Sequence, residues 1–188
     1  MAELIHTIHP ISSEVRQYIN RVTKEYTIKK GEKLIAEGDI CKYLYLIKQG
    51  VVRAYIKEGG QEVTIWICAE GEIVTSIRGF FSRKPVVECV EVIEDSILIA
   101  ADYNDMERMF ERYPETNVAG RKLLELYYQD AEERAIIARM PRAETKYAYF
   151  VAHKGYLLNR IPLRYIASYL GMTLETLSRI RSKLSRHK

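Results

Sequence analysis

The hydrophobic period of this chain changes twice along its length. Ser12 or Ser13 can cap a first helix through Glu14, Val15, Arg16, Gln17, Tyr18 and Ile19, which fades out before Tyr26. From 29 to 101 the apolar positions fall instead into short runs rich in β-branched and aromatic residues, at 33–36, 43–48, 51–57, 63–68, 86–93 and 97–100. Gly31, Gly38, Gly50, Gly59-Gly60 and Gly71 separate them, and Glu58-Gly59-Gly60-Gln61 reads as a tight hairpin turn. Strands of this length at such spacing predict an antiparallel sandwich or barrel. Ala36-Glu37-Gly38-Asp39 is echoed by Ala69-Glu70-Gly71-Glu72, which predicts two equivalent turns in a rolled sheet.

Past residue 102 the helical period returns. A short helix over 104–113 is stopped by Pro114, and a longer one is predicted from 115 to about 140. In it Gly120, Leu123, Leu124, Tyr127, Ala131, Arg134, Ala135 and Ala138 recur at threes and fours. Small residues interleaved with leucine and tyrosine suit close contact between helices, and a helix this long joining two domains has little of its own chain to cover it. Self-association along the stripe is therefore expected; the alternative is that it packs on the barrel of its own subunit. Pro141 supplies a break, and 142–153 forms another helix that Lys154-Gly155 stops.

The stretch 163–180 reads as two short helices joined by a tight turn. Ile166, Leu170, Leu177 and Ile180 can form a shared core, Ala167 is small where the helices cross, and Gly171 sits where the turn wants positive φ. Met172 is expected to fold inward, Thr173 to cap the second helix, and Glu175 to lie near the positive end of its dipole. Pro162 suits the first turn of the first helix.

Charge changes this picture from a helical hairpin into a candidate nucleic-acid reader. Residues 139–188 hold eleven Lys or Arg against two acidic residues, Glu144 and Glu175, a net +9, while the preceding 138 residues sum to −5. A cationic helix-turn-helix points to duplex DNA. At 188 residues and 47% hydrophobic side chains the chain can bury one good core and a small second one. No run approaches the roughly eighteen apolar residues of a membrane span, and the first residues lack a basic stretch followed by an apolar one, so a cytoplasmic protein is expected. Cys41, Cys68 and Cys89 are widely spaced without a C-x-x-C, so no disulfide framework, zinc or iron–sulfur site is expected.

The order barrel, long helix, helix-turn-helix resembles the Crp/Fnr superfamily of bacterial transcription regulators, whose N-terminal module is the cyclic-nucleotide-binding β-roll. The resemblance runs from about 29 to 183. Its most specific parts are Gly31-Glu32-x-Leu34-x-x-x-Gly38-Asp39-x-x-x-x-Leu44-Tyr45-x-Ile47-x-x-Gly50, Gly71-Glu72, and the helix-turn-helix over 166–180. It implies an α+β fold in three parts. Residues 1–114 would form a jelly-roll-like antiparallel β-roll sensor, 115–140 a long dimerisation helix, and 141–188 a winged-helix-like helix-turn-helix with its wing reduced or absent. Backbone contacts made elsewhere by a wing would then come from the basic end. It implies further a homodimer, each recognition helix entering one major groove of a two-fold symmetric DNA site, and RNA polymerase as a partner if the protein activates.

Carried over by position, Thr173, Leu174, Glu175, Thr176, Ser178 and Arg179 begin the recognition helix. The Glu175 carboxylate would accept from a cytosine amine and the Arg179 guanidinium would grip a guanine. Leu174 stands where well-known members have arginine, which should move base preference towards a thymine methyl. Arg164, Arg181, Lys183, Arg186 and Lys188 suit phosphates. Gly71 and Glu72 border the effector pocket. Where the family's phosphate-binding cassette has a Gly-Glu pair and then Arg with Ser or Thr, this chain reads Thr75-Ser76 and Val86-Val87. A valine cannot neutralise a buried phosphate, so cyclic AMP in the usual manner is not expected and the effector is left open. Arg78, Arg83 and Lys84 could serve a different anion or form an exposed basic loop. A haem or clustered-cysteine sensor is not expected, since His6, His9, His153 and His187 all lie outside the barrel. The competing classes are a cupin-like metalloenzyme, argued against by the absence of histidine from 29–101, and a cyclic-nucleotide-responsive protein acting through a protein partner, argued against by the basic tail. No enzymatic activity and no metal are expected.

Overall fold

The computed structural model describes residues 1–185; Arg186 and Lys188 lie outside the described residues. Helices α1 (Ala2–Ile8) and α2 (Ser13–Val22) open the chain. Ser12 caps α2, its hydroxyl accepting the Val15 N–H at 3.3 Å. Val15 and Ile19, one turn apart, bury in a cluster with Ala2, Ile11 and Ala119.

Eight strands follow: β1 (Lys24–Ile28), β2 (Lys33–Ile35), β3 (Tyr43–Gln49), β4 (Val52–Glu58), β5 (Gln61–Cys68), β6 (Ile73–Val74), β7 (Cys89–Val92) and β8 (Ser96–Asp102). They form two four-stranded sheets, ordered β1-β8-β3-β6 and β2-β7-β4-β5. Strand β8 is central to the first, pairing Tyr26 with Leu98 on β1 and Tyr45 with Ala100 on β3, both antiparallel. Val52, Ala54, Ile67, Val90, Val92 and Leu98 are buried in this roll.

Three strand details depart from the sequence expectation. The first strand begins at Lys24 rather than after 29; four of its five residues are exposed, so it has no hydrophobic alternation to read and is held by its ladder to β8. The run 86–93 shortens to β7, because the Val86 backbone pairs with the 38–39 turn instead: its N–H donates to Asp39 O and its carbonyl accepts from Gly38 N–H, both at 2.9 Å. Helix α3 (Ile77–Ser82), between β6 and β7, is too short to show a period and is anchored by Phe80, which is fully buried.

The echoed turns are equivalent, and a third joins them. Glu32, Asp39 and Glu72 donate their N–H to the carbonyl three residues back at 3.0, 3.0 and 3.1 Å. The glycine before each has φ of 84°, 89° and 85°. Each glycine N–H crosses to another segment, reaching Val92 O, Val86 O and Ile47 O at 2.9 Å. Asp39 and Glu72 also turn their carboxylates back to the N–H of Ala36 and Ala69, at 2.8 and 2.6 Å. A Cβ at such φ is strained, so glycine is required there.

Helix α4 (Tyr103–Arg112) is capped by Asp102 and precedes the long α5 (Glu115–Arg139); α6 (Ala143–Lys154), a 3₁₀ turn (Gly155–Leu157), α7 (Leu163–Tyr169) and α8 (Leu174–Ser185) complete the chain. Two compact units result. One contains Met1–Ala54 and Ile67–Tyr128, the other Tyr55–Trp66 and the chain from Gln129 onwards, so the tip of the β4–β5 hairpin belongs with the C-terminal helices. Among the described residues no helix is long and apolar enough to cross a membrane.

Inside the roll, Arg53 on β4 is 1% exposed and its Nε lies 2.6 Å from Glu91 Oε1 on β7. Removing Glu91 takes one ion-pair partner from a buried guanidinium. Glu91→Ala is expected to lower stability by up to about 3–5 kcal/mol. Urea unfolding followed by circular dichroism would read this as a lowered midpoint, whereas Lys29→Ala, in the exposed pair with Asp95, should leave the midpoint unchanged.

Candidate nucleic-acid interface and sensor cassette

The two helices of the C-terminal motif share the expected core: Ile166, Ala167, Leu170, Leu177 and Ile180 are all buried. Gly171 takes φ 63° in the turn, and Met172 is half-buried. Thr173 caps α8, accepting the Thr176 N–H at 3.2 Å. Pro162 differs from expectation by one position, standing as N-cap of α7 rather than within its first turn. Lys146 on α6 donates to Leu170 O at 3.1 Å and to Ala138 O at 3.2 Å, so one ammonium satisfies the carbonyl ends of α7 and α5.

With Leu177 and Ile180 turned inward, helical geometry puts Glu175, Ser178 and Arg179 on the opposite, exposed face of α8. Leu174, 43% exposed, and the half-buried Arg181 flank that face on one side; Thr176 and Lys183 flank it on the other. Glu175 has its pKa lowered, first by its own backbone N–H and then by the Thr173 hydroxyl, which keeps it an ionised acceptor. Arg164 on α7 lies over the Tyr165 ring at 4.8 Å and donates to its hydroxyl at 3.1 Å, which restricts where the guanidinium can go.

The sensor cassette is packed solid. Thr75 Oγ1 donates to Tyr43 O at 3.0 Å and touches Cys41 Sγ at 3.2 Å; Ser76 Oγ caps α3 by accepting the Gly79 N–H at 3.1 Å. A Cβ built on Gly79 would stand 2.2 Å from Val86 Cγ1, so the Val86 side chain fills the space against α3. Gly71 and Glu72 are spent on their turn. Arg78 and Val87 are exposed, whereas Thr75, Ser76 and Val86 are buried. Arg83 donates to Cys41 O and lies over the Tyr103 ring at 4.5 Å, so it is committed within the fold. Beside the cassette lies an apolar cavity of about 290 Å³, lined by Leu44, Ile73, Thr75, Phe81, Phe110 and Tyr127 among others.

The stripe on α5 divides in two. Gly120 lies against Phe110, Leu123 lines the apolar cavity, and the Tyr127 hydroxyl bonds both backbone groups of Ile73, so these three face their own β-roll. Leu124, Ala131 and Ala138 are exposed, Leu124 also bordering the apolar cavity, while Arg134 and Ala135 are half-buried. Leu124 and Tyr128 are 51% and 76% exposed. Tyr128 is not in the stripe expected from the sequence, although 117, 121, 124, 128, 131, 135 and 138 repeat at alternating fours and threes, a spacing compatible with helix pairing.

In this chain a rolled double sheet with a glycine-turn cassette is followed by a helix-turn-helix. Residues 25–113 match the cyclic nucleotide-binding domain family. The fumarate and nitrate reduction regulatory protein of Yersinia pestis is 23% identical over 188 residues, covering 92% of this chain and 73% of that protein. Among solved structures, FixK2 from Bradyrhizobium japonicum shares the fold with a TM-score of 0.74 at 23% identity, covering 88% of this chain and 86% of its own. A transcriptional regulator of the crp/fnr family from Eubacterium rectale does so with a TM-score of 0.73 at 16% identity, covering 94% and 85%. Along most of its length the chain is thus similar to Crp/Fnr-family proteins.

Loss of the Thr173 cap should loosen α8 without unfolding the sensor. Thr173→Ala is expected to cost about 1 kcal/mol. Amide exchange would show it as faster exchange at Thr176, whose N–H the hydroxyl holds, with β8 unchanged.

Proposed function

We propose that this chain is a sequence-specific, duplex-DNA-binding transcription regulator that works as a homodimer in the cytoplasm, with no catalytic activity of its own. The observation that carries this reading is the exposed face of α8. It presents an ionised carboxylate, a hydroxyl and a guanidinium at helical spacing, on a C-terminal segment of net charge +9. Glu175 and Arg179 read base edges, Thr173, Leu174, Thr176 and Ser178 complete the recognition turn, and Arg164, Arg181 and Lys183 hold phosphates. The outward stripe of α5, centred on Leu124, Ala131, Ala135 and Ala138 with Tyr128 added, pairs two copies so that two recognition helices meet a two-fold symmetric site.

Residues 1–114 act as the sensor, 115–140 as the dimerisation helix and 141–188 as the reader. Effector control shifts the population between reader spacings that fit DNA and spacings that do not. The filled cassette supports an effector other than cyclic AMP bound in the family manner, because Val86 occupies the space against α3 and Arg83 is engaged by Cys41 O and the Tyr103 ring. RNA polymerase is the further partner if the protein activates.

Selection of bound sites from a random duplex library by the full-length protein is expected to recover a two-fold symmetric motif with half-sites about one helical turn apart. Recovery of no motif, with only salt-sensitive binding, would mean either that an effector must first shift the population or that the tail is a nonspecific nucleic-acid contact. Arg179→Ala should relax preference at one position per half-site and cost about 1–3 kcal/mol, while Lys183→Ala weakens all sequences alike and flattens the salt dependence. Leu124→Glu should shift sedimentation from dimer to monomer; an unchanged dimer would place the interface elsewhere.

A further inference from the structure

Strand β5 is the edge of its sheet, and its outward backbone groups meet a side chain from the DNA-reading motif. Ser168 Oγ on α7 accepts the Thr64 N–H at 2.8 Å and donates to Glu62 O at 3.0 Å. In an antiparallel strand the N–H of one residue and the carbonyl two residues earlier point to the same side. One hydroxyl therefore takes the place of a neighbouring strand's residue, closing the edge with both a donor and an acceptor. Val63 and Ile65, 39% and 36% exposed, flank the bonded residue. The hairpin tip, Tyr55–Trp66, accordingly packs with the C-terminal helices as one compact unit.

Ser168 lies one helical turn beyond Arg164, so both share a face of α7. Clipping Glu62 to Ser168 brings a strand with one carboxylate to the helix that carries a phosphate-contact candidate. The hairpin turn adds Lys57 and Glu58, whose charges cancel. The hairpin and its Glu62 carboxylate oppose an approaching phosphate backbone. At their other ends β4 and β5 run into the sensor unit, where Arg53, two residues before the hairpin tip residue Tyr55, is ion-paired to Glu91 of β7.

We propose that the β4–β5 hairpin is an autoinhibitory latch: the Ser168 hydroxyl holds it over the Arg164 face of α7, and duplex DNA must displace it. This rests on the DNA-binding reading above. The latch acts on phosphate contact, so it weakens binding to all sequences alike, and a sensor that draws on β4 and β5 can open it.

The test uses the full-length protein, hydrogen exchange at the Thr64 amide, and fluorescence anisotropy with a mixed-sequence duplex on the order of 30 base pairs. Ser168→Ala is expected to lose protection at Thr64 and to bind the duplex about fivefold more tightly, the scale of releasing one hydrogen-bonded clasp. Ser168→Thr keeps the hydroxyl and should behave as wild type. Glu62→Gln leaves the clasp's backbone groups intact and should also tighten binding, which keeps the proposal testable if Ser168→Ala folds poorly by circular dichroism. A Thr64 amide in the wild type that exchanges as fast as those of Gly59 and Gly60 would overturn the latch. So would wild-type binding that neither variant strengthens. Absence of duplex binding by the wild type and every variant would instead overturn the DNA-binding reading, and the latch's role with it.

Discussion

The fold depends on satisfying backbone hydrogen bonds where the chain reverses between strands. Gly31, Gly38 and Gly71 each hold a positive φ, close a turn behind themselves, and send their own N–H across to another segment. Where a carboxylate follows, at Asp39 and Glu72, it ties the turn back to its first residue. Without those reversals the two sheets could not roll over the buried Val52, Val90 and Leu98, and the Arg53–Glu91 pair would have no dry interior to occupy. The same economy explains Glu72: a residue beside the expected effector pocket is engaged in holding the roll together.

In the cassette Ser76 caps α3 and Gly79 permits a close approach that the Val86 side chain occupies. An apolar cavity lies beside it, bounded by β3, β6, α4 and α5. Of the polar groups lining that cavity, the Tyr127 and Thr75 hydroxyls and the Asn117 amide are bonded to backbone of the same unit, and Arg121 pairs with Glu125.

On the reading side, one theme recurs: polar side chains complete the ends and edges of other elements. Thr173 caps α8, Lys146 closes the ends of α5 and α7, and Ser168 closes the edge of β5. Each bond fixes a helix that carries candidate DNA-contacting groups, so the orientation of Glu175 and Arg179 depends on side chains outside their own exposed face. The stacking of Arg164 on Tyr165 restricts a candidate phosphate-contact cation in the same way.

Period and punctuation by themselves determined most of the fold. The central strands, the break at Pro114, the long helix, the Gly171 turn and its buried partners are local patterns, and local backbone sterics and burial of one helical face dictate them. The charge asymmetry marked the reading end for the same reason, being a property of composition. Tertiary structure alone decided the rest. The edge strand at 24–28 has no alternation and exists because β8 offers it a ladder. Residues 86–88 leave the sheet because the Gly38 turn binds their backbone first. The α5 stripe splits into an inward and an outward half because the β-roll covers Gly120, Leu123 and Tyr127, and a one-dimensional repeat cannot say which half meets its own chain. Ser168, lost in the sequence among solvated helix positions, gains its role from a strand more than one hundred residues away, since a hydroxyl's partner is set by what packs beside it.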